Sequence, residues 1–95
     1  MKYKVGDKVR IKSLDWYNKN ATSDFGDVDC GAMPFMYYMS EFCNKIVTIS
    51  NVNYKYEYYE IEEDVAANGW TDDMIEGLIE EDKGLDKLMD LIEYH

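Results

Sequence analysis

The residues of this 95-residue chain best suited to chemistry are carboxylates, and their spacing favours binding over catalysis. Asp82, Asp86, Asp90 and Glu93 follow one another at steps of four, four and three. On a helix, that spacing lines them along one face about 6 Å apart. The row resembles the run of phosphates along a nucleic-acid strand and would fit a site built from lysine and arginine. The plainer reading is the solvated side of an amphipathic helix. A second cluster, Glu57, Glu60, Glu62, Glu63 and Asp64, falls in a strand-like segment, and with Asp72, Asp73 and Glu76 it is expected to make one continuous negative surface.

Metal and catalytic chemistry find little support. No frame supplies the alternating acidic ligands, central glycine and closing glutamate of a calcium loop. Two cysteines, Cys30 and Cys43, and a single histidine, His95, fall short of the four ligands of a structural zinc site. There is no internal histidine to act as a base, no nucleophile elbow and no glycine-rich phosphate loop. Pairs such as Glu62 with Asp64, or Asp72 with Asp73, would need an enclosed pocket to tune them. The expectation is a protein that is not an enzyme and carries no cofactor and no metal.

Aromatic residues offer the other binding chemistry. Tyr37, Tyr38, Tyr54, Tyr56, Tyr58 and Tyr59, with Trp16, Trp70 and Phe35, suffice for a groove that docks an extended peptide. Most such rings in a small domain fill its core, leaving a few, such as Tyr58 and Trp16, as contact anchors. Met33, Met36, Met39 and Phe42 form a soft apolar set, read as core or as a self-association patch.

Charge is divided unevenly along the chain. Residues 1–56 carry eight Lys or Arg against six Asp or Glu, whereas residues 57–95 carry two against fourteen, giving +2 and −12 and the total of −10. Such a field repels nucleic acid and attracts basic protein surfaces. At 46% hydrophobic and 15% aromatic, the composition is that of a folded single domain and not of a disordered acidic tail. No stretch approaches the roughly 18 apolar residues of a spanning helix, and the first residues lack a signal-peptide core, so a cytoplasmic protein without membrane contact is expected.

Several elements must position these groups. Residues 4–13 alternate, Val9 and Ile11 against Lys8, Arg10 and Lys12, which predicts a half-buried strand. Residues 14–31 read as a long loop carrying Trp16 and Tyr17. Pro34 suits the first position of a short helix running toward Cys43. Residues 45–52 and 54–62 alternate again, forming two strands joined by a turn in which Asn53 is the candidate for an unusual backbone angle. A further strand is expected near Trp70, and Thr71 reads as an N-cap ahead of Asp72 and Asp73. From Leu78 onward, Leu85, Leu88, Met89 and Ile92 predict an amphipathic terminal helix, with a break near Gly77 or Gly84.

The runs at residues 3–11, 42–49, 58–64 and 69–75 resemble small SH3-like barrel proteins of phages, prophages and related mobile elements. Their valine-glycine-aspartate opening corresponds here to Val5, Gly6 and Asp7, and their tryptophan-threonine-aspartate exit to Trp70, Thr71 and Asp72. Asn44 stands where glycine is more usual, and neither residues 15–31 nor the segment after Gly77 is matched. The resemblance implies a mainly β (α+β) fold: an SH3-like antiparallel barrel over residues 1–76 with an acidic helix over 77–95. It also implies a genomic setting in which small acidic proteins inhibit host defence, anti-CRISPR proteins and other nucleic-acid mimics among them. The expected partner is a basic protein surface such as the nucleic-acid channel of a host nuclease, without direct nucleic-acid binding. The chain would be a monomer or weak homodimer. The expected contact residues are Glu60, Glu62, Glu63, Asp64, Asp72, Asp73, Glu76, Asp82, Asp86, Asp90, Glu93, Tyr58 and Trp16. The alternatives are a peptide-docking adaptor and a self-associating phage accessory or structural protein.

Overall fold

A computed structural model describes residues 1–22 and 24–79. Among them the chain is mainly antiparallel β with a few short helices. Strand β1, Lys8–Ile11, forms as the alternation requires: Val9 and Ile11 are fully buried while Lys8 stays exposed. It lies centrally, paired on one side with β4, Ile46–Asn53, and on the other with β6, Ile75–Leu78. Strand β5, Tyr58–Ile61, completes a four-stranded sheet in the order β5-β4-β1-β6. Arg10 stands opposite both Ile46 and Gly77, so the first long strand and the last described one are direct neighbours. Before β1, reciprocal backbone bonds, Gly6 N to Ile49 O and Ile49 N to Asp7 O, each 2.9 Å, tie the valine-glycine-aspartate opening to β4.

The segment between β1 and β4 covers the sheet, and its structure departs from the expected loop. Ser13 caps helix α1, Leu14–Asn20, by accepting a 3.0 Å hydrogen bond from Trp16 N. Asp15 in the first turn and Lys19 in the last suit the helix dipole. Strands β2, Val28–Cys30, and β3, Met33–Phe35, then make a two-stranded ribbon. Pro34 lies within β3 opposite Asp29 and starts no helix; a narrow ribbon tolerates proline where a central strand would not. The helix that follows is a 3-10 helix, Tyr37–Phe42. The polar residues of this segment hid its elements, because each is too short to show a period.

Trp70 is the centre of the core, fully buried. Phe35 and Phe42 meet it edge-on at centroid distances of 5.8 and 5.4 Å, and Trp16 meets Phe35 in the same way at 5.2 Å. Each such pair adds about 0.5–1.5 kcal/mol to simple burial. Val9, Ile11, Val47, Ile49, Tyr59 and Ile61 supply the sheet side of this core.

Other expectations also change. Glu57, and not Asn53, takes the left-handed backbone angle in the β4–β5 turn, with φ of 59°. The Asn53 side chain accepts a hydrogen bond from Tyr56 N instead. Asn44 has φ of 68°, a conformation that glycine and asparagine adopt more readily than other residues. Trp70 forms an isolated bridge with Tyr59 in place of a full strand. Thr71 does not cap through its side chain; its hydroxyl donates 2.8 Å to the Cys30 carbonyl, and a 3-10 turn, Asp72–Met74, follows. Gly77 and Leu78 belong to β6, at positions where the acidic helix was expected to begin. Among the described residues, the Trp70 bridge and β6 are connected by that turn and not by a hydrogen-bonded ladder, so the sheet does not close into a barrel. Residues 80–95, with Asp82, Asp86, Asp90 and Glu93, lie outside the described residues. No helix of the described residues is long and apolar enough to cross a membrane.

Candidate protein-binding surface

Two of the carboxylates expected to meet a partner hold hydrogen bonds of the fold itself, one of them buried and the other half-buried. Asp64 is buried, at 7% exposure. Its Oδ1 accepts a 3.1 Å bond from Ala66 N, and its Oδ2 accepts bonds from Asn68 N at 3.0 Å and Trp70 Nε1 at 3.1 Å. A buried carboxylate is tolerated only with partners of this kind. The sequence signal was the run of Asp64 into Ala66, Ala67 and Asn68, since aspartate side chains commonly bond the backbone two residues on. Asp72 is the second: it accepts the hydroxyl proton of Tyr59 and a weaker bond from Lys2 N at 3.4 Å. The same Tyr59 oxygen accepts from Tyr3 N at 3.1 Å, so Asp72 and Tyr59 together fasten the first residues to the core.

Burial, then the hydrogen bond given to Asp72, pushes the Tyr59 phenol up to about 12, partly offset by the Tyr3 amide. Tyr3 is raised as well, by burial first and then by the charges of Asp72 and Asp7.

Next to this pair lies a cleft of about 280 Å³, lined by Met1, Cys30, Gly31, Glu57, Thr71, Asp72 and Asp73 among others. Three carboxylates from two separate segments, the β4–β5 turn and the 3-10 turn after Thr71, therefore share one opening. Among the described residues, neither Glu57 nor Asp73 has a lysine or arginine nitrogen within 4.0 Å. Cys30, at the floor, has its thiol pushed up to about 11 by burial and then by Asp73. It is therefore a neutral thiol near pH 7 and a poor nucleophile. Cys30 and Cys43 are both free thiols. No group of three or more histidine, cysteine or acidic side chains among the described residues is arranged to hold a metal ion.

The remaining acids do not form the continuous face expected of them. Glu60 belongs to the outward side of β5 and Glu62 to the turn just after it, while Glu76 belongs to β6 at the opposite edge. Between them runs β1 with Lys8 and Arg10, followed directly by Lys12, which pairs with Glu76 at 3.6 Å. Glu63 turns onto β4, accepting from Thr48 N at 2.8 Å, and Glu60 accepts from the Asn51 amide at 3.4 Å. The order of the strands thus inserts a basic row into the acidic segment. Carboxylates remain gathered at the cleft.

The expected aromatic groove changes too. Trp70 is inaccessible, Trp16 is half-buried against Phe35, and the half-buried Tyr58 has its hydroxyl on the Asn53 amide at 3.3 Å. Met39 and Phe42 are core, and Met33 and Met36 are packed against it, which leaves little of the methionine patch exposed. Among the described residues, the rings that do face solvent are Phe25, Tyr37, Tyr38, Tyr54 and Tyr56. Phe25 was missed in the sequence because a lone phenylalanine in a polar stretch has no periodicity to mark it as exposed. Comparison with protein-family models, curated proteins and solved structures finds no match to this chain.

Proposed function

We propose that this protein is a non-enzymatic module that binds a basic protein surface, with the acidic cleft of Glu57, Asp72 and Asp73 as a principal contact. The observation that carries this reading is local. Residues 57–79 hold eight carboxylates and no lysine or arginine, and three of the eight converge on one opening. Charge of this kind steers encounter, while nearby exposed rings provide contact energy. The SH3-like relationship belongs to the same proposal. It is supported by the pairing of β1 with β6 and by the Trp70, Thr71 and Asp72 exit leading into that last strand. In its most specific form, the module is a phage or mobile-element inhibitor of the anti-CRISPR kind, covering the nucleic-acid channel of a host defence protein.

The test is capture of host proteins on the immobilised chain, with mass spectrometry of what is retained. A basic nucleic-acid-binding protein should be held at low salt and released near roughly 0.5 M, where screening shortens charge interactions to a few ångströms. Glu57→Gln with Asp73→Asn should weaken that capture without unfolding the chain, since neither carboxylate carries a hydrogen bond of the core. Retention indifferent to both salt and these substitutions would reject charge-driven docking.

A further inference from the structure

A second surface lies in the half of the chain whose formal charge is nearly balanced. Tyr37 and Tyr38 open the 3-10 helix and are 61% and 46% exposed, with their rings edge to face at 5.3 Å. Phe25, 77% exposed, precedes Gly26, whose backbone lies directly against Tyr37: an added Cβ there would be 3.2 Å from Tyr37 Cβ and 2.9 Å from the Tyr17 hydroxyl. The backbone under these rings is pinned. Tyr37 N donates to Asp27 Oδ1 at 3.2 Å, Ser40 Oγ donates to the Tyr37 carbonyl at 2.7 Å, and the Tyr38 hydroxyl donates to Asn68 Oδ1 at 3.3 Å. The Tyr17 hydroxyl in turn donates to the Gly26 carbonyl at 2.5 Å. Exposed rings held in place before binding have already met much of the ordering cost that weakens flexible contacts.

The charge around the rings identifies what they receive. Between Asn20 and Asn44 there is no lysine or arginine, but there are four carboxylates, Asp24, Asp27, Asp29 and Glu41. Asp27 already touches Tyr37, and Glu41 follows Tyr38 by three residues on the 3-10 helix, which places it on the same face. Elsewhere the chain stacks its own cations on rings: Lys45 lies 5.8 Å from the Phe42 centroid and Lys55 lies 5.2 Å from that of Tyr56. Among the described residues, Tyr37 and Tyr38 have no such cation. A tyrosine face is electron-rich and attracts lysine or arginine, more so beside carboxylates.

We infer that Tyr37 and Tyr38, flanked by Phe25 and rimmed by Asp27 and Glu41, form a docking ledge for a cationic side chain, arginine above all, of the basic protein partner. This rests on the proposed function and locates a contact that the acidic C-terminal half does not contain. A second copy of the chain is a poor occupant, because a net charge of −10 sets like against like.

The test uses the full chain and an octa-arginine peptide as probe, with affinity measured by titration calorimetry and folding checked by circular dichroism. Tyr37→Ala with Tyr38→Ala should weaken binding roughly tenfold, and the loss should persist at about 0.15 M salt, because ring contacts are less screened than exposed charges. Tyr37→Phe with Tyr38→Phe should remain within about twofold of the parent, since the ring face is retained. If the alanine pair binds like the parent while Glu57→Gln with Asp73→Asn binds more weakly, the ledge is wrong and the basic-partner reading stands. If the parent fails to bind the peptide at all, both fall. Sedimentation showing a dimer that the alanine pair dissolves would assign the rings to a second copy and overturn the inference.

Discussion

The Asp64 carboxylate accepts the indole N–H of Trp70 at 3.1 Å, joining an acidic residue of the turn after β5 to the largest ring of the core. That one contact satisfies the polar atom of a fully buried tryptophan. Two backbone amides of the intervening turn, those of Ala66 and Asn68, share the same carboxylate.

Asp64→Ala should therefore cost about 2–4 kcal/mol, since it strands a buried donor and releases two turn amides together. The shift of the urea midpoint measures it. Exposed Glu62→Ala is the control and should leave the midpoint almost unchanged.

Stability should fall in alkali because of Tyr59. Folding raises its phenol from the ordinary 10.0 to about 12, so the folded state keeps a proton that the unfolded chain gives up. The contribution is fully present below about pH 10 and is lost as pH climbs toward about 12. Urea midpoints measured from pH 9 to 12 should decline, and Tyr59→Phe should flatten part of that decline. Equal slopes in the two proteins would exclude Tyr59 as the cause.

Thiol labelling should separate the two cysteines. Cys30 is 2% exposed, with its thiol pushed up to about 11, whereas Cys43 is half-buried and raised by burial alone. Iodoacetamide at neutral pH should modify Cys43 first and reach Cys30 only on unfolding, which peptide mass mapping resolves. Prompt labelling of Cys30 would mean that the floor of the cleft opens readily.

Gly26→Ala should destabilise the chain by about 1 kcal/mol or more, because the site has positive φ and little room. Its φ is 71°, and the new methyl would press on the Tyr17 hydroxyl. Thermal unfolding reports the loss, and the octa-arginine affinity should drop with it, since the same methyl displaces Tyr37.

The sequence alone determined what depends on near neighbours along the chain. Alternation set the buried faces of β1, β4 and β5, with Val9, Ile11, Val47, Ile49, Tyr59 and Ile61 turned inward, because successive side chains of a strand point to opposite sides. The excess of carboxylates after Glu57 needed only counting. The tertiary structure decided which of those carboxylates meet one another. Pairing β1 between β4 and β6 set Lys8, Arg10 and Lys12 between Glu60 and Glu76, and no local pattern encodes a pairing between strands tens of residues apart. It also drew Asp64 into the core and brought Glu57, Asp72 and Asp73 to one cleft. A carboxylate's role follows from the donors that surround it, and most of those donors come from elsewhere in the chain.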